Sequence, residues 1–198
     1  MKQRICTCLC ALFLLLNLTA CGSGPQMPME ITVDGCQIVL GKTTMQDLID
    51  LGYEVSSNGR QDVAKDGDSY ISFYYSLDQG AGHQFWVTVC VPWSGNTDIS
   101  AEAESSATEG IVRSVSVRQS ATEKITVTYN GVNLSDMNFD KAAEWGAKEN
   151  TEKSIKTYEL TAKQGYLTWE GTSTSNKEFN ELRVQMRQSD FEKMQETE

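Results

Sequence analysis

Between residues 69 and 91, apolar and polar side chains alternate with a period of two. Ile71, Phe73, Tyr75 and Leu77 share one phase against Tyr70, Ser72, Tyr74 and Ser76, and Phe85, Val87, Val89 and Val91 repeat it against Trp86, Thr88 and Cys90. Such alternation predicts half-buried strands, and the Asp78-Gln79-Gly80-Ala81-Gly82 link joins them as a hairpin. A third strand is expected over 111–117. Upstream, Ile31-Thr32-Val33, the Asp34-Gly35 turn and the phase of Cys36, Ile38 and Leu40 predict a shorter hairpin. Between the hairpins the period changes: Met45, Leu48 and Ile49 form the stripe of a short helix over 44–51. Thr43 and Gln46 stand at capping-box spacing, and Gly52 suits a left-handed cap. Segment 94–110 is acidic and aperiodic, which predicts a mobile loop.

From about residue 125 the order recurs. Ile125-Thr126-Val127 echoes Ile31-Thr32-Val33, and a shift of 94 residues lays Leu134 on Leu40, Phe139 on Met45, Ala142 on Leu48, Ala143 on Ile49 and Gly146 on Gly52. Asn138 is the expected cap of the second helix, and strands are predicted over 153–162, 164–173 and 179–187. The fold class is therefore α+β, as two tandem units, each a short helix packed on an antiparallel sheet. The first unit spans 31–118 and the second 119–187; 188–198 reads as a polar tail that frays, with Phe191 and Met194 as the side chains that could dock it.

One helical stripe covers one sheet face, so the opposite face of the first unit is expected to stay open. Its phase carries Tyr70, Tyr74 and Trp86, with Trp93 just beyond Pro92, where an ordinary surface would place Thr, Lys or Glu. Clustered exposed aromatics mark recognition surfaces, so these four form the candidate binding face. The alternative is that another part of the chain covers them as core.

The leader changes the setting. Lys2 and Arg4 precede an apolar run from Ile5 to Leu16, shorter than the ~20 residues a bilayer core needs, which is the layout of a secretory signal over 1–20. The run closes in Leu18-Thr19-Ala20-Cys21-Gly22, which resembles the lipobox of bacterial lipoproteins. That resemblance implies cleavage before Cys21 and lipidation of its sulfur. Residues 21–30 then read as a lipidated flexible tether. Gly22 lacks the aspartate associated with inner-membrane retention, leaving a single-membrane host, which is favoured, or an outer membrane.

Loss of Lys2 and Arg4 leaves 15 basic side chains against 27 acidic ones, a net charge of −12. That balance argues against nucleic acid and against headgroup docking by basic patches. Of six cysteines, Cys6, Cys8 and Cys10 leave with the leader and Cys21 is the expected lipidation site, so Cys36 and Cys90 remain, either as one disulfide or as two buried thiols. With His83 the sole histidine, neither a zinc site nor a Ser/His/Asp triad is expected. Gly41-Lys42-Thr43 lacks the upstream glycine of a phosphate loop, so no nucleotide is expected. Asp66-Gly67-Asp68 lacks the ligand alternation of a calcium loop. No cofactor and no catalytic residue is assigned.

Tandem units of short helix and antiparallel sheet, with Gly-x-Thr/Ser before the helix, resemble envelope proteins of the outer-membrane assembly lipoprotein and β-lactamase inhibitor protein types. The resemblance implies a non-catalytic binding or scaffolding role toward an envelope or surface protein, outside the cytoplasm and held to the membrane through Cys21. An envelope hydrolase acting on polysaccharide or peptidoglycan is the alternative, since a carboxylate pair among so many acidic residues would carry no sequence signal.

Overall fold

Two tight turns, Asp34-Gly35 and Asn130-Gly131, set the frame. All four residues have positive φ (48° and 80°, 49° and 76°), the type I′ geometry whose twist matches that of a hairpin. A computed structural model of the chain describes residues 24–55, 60–61, 69–78, 84–95, 99–120, 125–172 and 179–197. The leader with Cys21, His83 and Asp66-Gly67-Asp68 lie outside the described residues. The first turn joins β1 (Glu30–Val33) to β2 (Cys36–Val39), and the second joins β8 (Val127–Tyr129) to β9 (Val132–Asn133). The hairpins pair with each other, Thr32 opposite Thr128, in a small antiparallel sheet of order β2-β1-β8-β9.

The large sheet takes the remaining strands. These are β3 (Glu54–Val55), β4 (Arg60–Gln61), β5 (Tyr70–Asp78), β6 (Gln84–Pro92), β7 (Ile111–Arg118), β10 (Lys148–Glu149), β11 (Thr157–Thr161), β12 (Gly165–Gly171) and β13 (Phe179–Met186). Their order is β10-β11-β12-β13-β7-β6-β5-β3, with β4 also on β5. The α+β class thus stands, but each sheet draws strands from both halves of the chain. At the centre, β7 and β13 run antiparallel with Val115 opposite Val184. One continuous apolar cluster spans both halves.

Helix α1 (Met45–Asp50) forms where its stripe predicts, with Met45 and Leu48 fully buried. Its capping box shifts by one residue: Thr44 and Asp47 exchange the cap bonds, while the Thr43 hydroxyl accepts from Val39 N–H at 2.9 Å. Thr43 is thereby committed to closing the turn after β2. Asn138 caps α3 (Phe139–Glu144) by accepting from Lys141 N–H at 2.8 Å. Gly52 and Gly146 follow the two helices at φ 94° and 96°, the left-handed region that only glycine enters cheaply.

Three segments differ from expectation, each because apolar or polar contacts from elsewhere fix it. Segment 94–110 contains α2 (Ser100–Ser106), whose Glu102 is buried and accepts from Ser94 Oγ at 2.6 Å, and whose Ser106 meets the Tyr75 hydroxyl at 2.5 Å. The expected tail is helix α4 (Gln188–Gln195), anchored by fully buried Phe191, whose ring meets Tyr70 edge-on at 5.2 Å. Residues 24–29 of the expected tether lie against the body, with Met27 and Met29 buried.

The inner face of the large sheet holds the core. Phe73, Tyr75, Phe85, Val87 and Val89 are buried as their phase predicts, and Leu167 and Trp169 take the same side of β12. Burial of each such side chain contributes ~1.5–3 kcal/mol. Trp169 reaches the small sheet through Trp145 (6.1 Å between ring centroids) and Tyr129 (5.7 Å).

Candidate functional site

The outer phase of β5, β6, β7, β12 and β13 carries the side chains that the core does not claim. Cross-strand register arranges them in rows. One runs Ser76–Trp86–Ser116–Arg183–Thr168, and the next Tyr74–Thr88–Ser114–Gln185–Tyr166. None of the helices α1 to α4 and no strand of the small sheet buries Tyr74 or Tyr166, which are 38% and 44% exposed. The serines between them, Ser72, Ser76, Ser114 and Ser116, are buried. Small hydroxyls beside tall rings and guanidinium groups give a face with relief.

The polar centre of this face is built on Glu181, whose side chain is 13% exposed. Ser116 Oγ donates to it in a short hydrogen bond, Arg183 lies at 3.2 Å, and Arg118 at 3.5 Å. Arg118 also stacks its guanidinium over the Trp86 ring, 4.5 Å from the centroid. A guanidinium held this way keeps donors for an incoming acceptor and stiffens the indole beneath it. Tyr74 belongs to the same electrostatic group. Its hydroxyl pKa is raised, first by burial and then by the Glu181 carboxylate, with Arg183 and Arg118 partly opposing. On the β5 side, Arg113 Nη2 donates to Ser72 Oγ at 3.3 Å, and Ser72 Oγ is 3.3 Å from Cys90 Sγ.

The four expected face residues separate. Tyr74 and Trp86 sit together on the outer face. Tyr70, on the same phase, stands at the end of β5 where its ring packs on Phe191, and Trp93 packs partly buried against the core. Cys36 lies half-buried in the small sheet and Cys90 buried in the large one, and both are thiols. The two positions belong to different sheets, and no bond joins their sulfurs in this structure. Arg113, Arg118, Glu181, Arg183 and Tyr166 escaped the sequence reading. The signal for Arg118, Glu181, Arg183 and Tyr166 was the outward phase of β7, β13 and β12, usable only once the sheet order sets β7 beside β13, whereas Arg113 breaks that alternation and reaches Ser72 at a β-bulge opposite Thr88 and Val89.

Two surface depressions lie elsewhere. One of about 210 Å³ is lined by Ile125, Thr126, Val127, Asn133 and Ser135, and a wider one of about 550 Å³ by Thr44, Gln46, Thr108 and Glu109. Neither gathers two carboxylates or a nucleophile beside a base, the minimum for the hydrolytic chemistries considered. Among the described residues no group of His, Cys, Asp and Glu is placed to hold a metal ion, and no helix is long and apolar enough to cross a membrane.

Comparison with protein-family models, curated proteins and solved structures finds no match to this chain.

Proposed function

We propose that this chain is an extracytoplasmic lipoprotein, acylated at Cys21, that binds a protein partner through the outer face of its large sheet and performs no catalysis. The observation that carries the reading is the Tyr74–Trp86–Arg118–Glu181–Arg183 group. Tyr, Trp and Arg dominate the energetics of protein interfaces, and here they stand pre-organised on rigid strands. In this patch Arg118 and Arg183 flank Glu181, with Glu170 opposite it on the neighbouring strand. Guanidinium donors beside aromatic rings suit a partner surface that presents hydrogen-bond acceptors beside apolar groups. The favoured setting is a single-membrane cell, with the protein on its outer side.

The test is differential capture from detergent-solubilised envelope, using the acylated protein and a variant carrying Tyr74→Ala, Trp86→Ala and Arg118→Ala. A partner retained by the first and lost by the second, at equal thermal stability, is the expected result. Capture indifferent to the three changes would place recognition elsewhere. Separately, Cys21→Ala should move the protein from the membrane to the soluble fraction, and a variant that stays with membranes would overturn the anchor.

The finer division into two tandem units also belongs to this reading. Support comes from the element order: hairpin, capped helix, then strands, in β1-β2-α1-β3-β4-β5-β6-α2-β7 and, without counterparts of β4 and α2, in β8-β9-α3-β10-β11-β12-β13. Antiparallel contacts of β1 with β8 and of β7 with β13 would set the halves about an approximate two-fold axis. A superposition of 30–118 on 127–186 that failed to bring helices and final strands together would end the duplication reading.

A further inference from the structure

The segment expected to be a free leash is fastened down. Lys163 N–H donates to the Pro25 carbonyl at 3.0 Å, the Tyr129 hydroxyl to the Pro28 carbonyl at 3.0 Å, and Leu40 N–H to the Met29 carbonyl at 2.9 Å. Met27 and Met29 are 6% and 8% exposed. Gly24 lies so close to β11 that an added Cβ would stand 2.6 Å from the Thr161 carbonyl oxygen. Gly24 is therefore part of the body. Three residues of extended chain span at most about 10–11 Å, against roughly 30 Å for a leash reaching from Cys21 to Glu30.

We propose that the end of the large sheet formed by the β11–β12 turn and the β13–α4 junction rests on the phospholipid headgroups, with Lys163, Tyr166 and Arg187 in the interfacial layer. This rests on the reading of Cys21 as the acylated residue. The headgroup layer on one side of a bilayer is roughly 5–8 Å thick. Glycerol-linked acyl chains on Cys21 hold that residue at the layer's inner boundary, and the remaining reach cannot carry Gly24 far beyond the outer one.

The chemistry at this end suits the position. Tyr166 is 44% exposed, and the Arg187 guanidinium lies 5.6 Å from its ring centroid. Arg187 Nη2 donates to the carbonyls of Ala162 and Lys163, the latter at 2.6 Å, and its Nε lies 3.4 Å from Asp190. Arg187 thus fixes the turn, while Tyr166 and the Lys163 ammonium offer the ring and the cation that settle at membrane interfaces. The whole chain is acidic, so these contacts orient a body that the acyl chains hold. Strand β12 then rises from the lipid. Glu170, which pairs with Glu181, stands five residues above Gly165, so Glu181 and its partner Arg118 sit roughly 15–20 Å along the strands from that end, with the Trp86–Arg183 row between them and the row of Tyr166.

The test uses the full acylated protein in phosphatidylcholine–phosphatidylglycerol vesicles containing a headgroup spin-labelled lipid. A fluorophore is placed at Gln164→Cys or, at the opposite end of the sheet, at Glu54→Cys, each in a Cys36→Ser background. Spin-label quenching several-fold stronger at 164 than at 54 is expected. A Gly-Ser segment inserted between Ser23 and Gly24 should bring the two towards equality while flotation with vesicles persists. Lys163→Glu with Tyr166→Ser should weaken quenching at 164 with flotation again intact. Equal quenching at both sites in the native sequence would overturn the orientation while leaving the anchor standing. Failure of the native protein to float would overturn the anchor itself, and the orientation with it.

Discussion

Tyr53 offers a quantitative test of how the two-layer core treats a polar group. The side chain is 2% exposed, its ring meets Phe85 edge-on at 5.1 Å, and its hydroxyl has no hydrogen-bond partner among the described residues. A buried donor left unsatisfied costs ~1–3 kcal/mol, so Tyr53→Phe should stabilise the protein by about that amount at neutral pH, raising Tm by ~2–4 °C per kcal/mol. The alkaline limb gives a second reading. Burial, then Asp34, then Cys36 push the phenol from 10.0 up to about 12. Between these values the unfolded chain has released the proton and the folded chain retains it. The folded state therefore binds more protons, and stability falls as pH rises from 10 towards 12. Stability due to this group is complete below pH 10 and declines by up to ~1.4 kcal/mol per pH unit above it. Urea unfolding of both proteins at pH 7 and from pH 10 to 11 would show the variant's advantage widening over that interval. Either of two results would refute the reasoning: destabilisation of the variant by about 1 kcal/mol or more, which implies a satisfied hydroxyl, or a constant difference across pH, which implies a phenol that titrates alike in the folded and unfolded states.

Phe191→Ala should cost ~3–5 kcal/mol by emptying the seat of α4, and limited trypsin digestion should then cut after Arg187 and Lys193 sooner than in the native protein. Gly165→Ala would press a Cβ onto the Gln185 carbonyl and to 2.8 Å from Met29 Sδ. A loss of about 3 kcal/mol or more is expected in thermal unfolding, and a neutral result would mean β12 and β13 are not in the described register. Glu181→Gln should lower the Tyr74 pKa without bringing it to that of an exposed tyrosine, because burial remains the larger cause. Ultraviolet titration of the variant against a Tyr74→Phe control reads this directly, and an unchanged or raised value would count against the Glu181 contact.

Local features were legible wherever the reason for them was local. Period-two alternation marked β5 and β6 and their inner face, because a strand buried on one side must alternate. The stripe of Met45 and Leu48, the Asn138 cap and the glycines at 52 and 146 marked the helices and their ends, since these depend on neighbours within a turn. Helix α2 was missed, and the tail showed its docking residues Phe191 and Met194 but not its helix α4, because the anchors, Tyr75 for Ser106 and Tyr70 for Phe191, are distant in sequence. The seat of residues 24–29 was missed for the same reason: Met27 and Met29 look like loop residues until β11, β12 and the small sheet form a surface to receive them.

The sequence alone determined the α+β alternation, the phase that left Tyr74 and Trp86 facing outward, and the acidic balance, all of which follow from residue type and spacing. Tertiary structure decided which strands became neighbours. The pairing of β7 with β13 placed Glu181 between Arg118 and Arg183 and set these charges beside two outward aromatics. Strand order depends on closing loops across more than sixty residues and on burying one shared core, and no local period records the outcome.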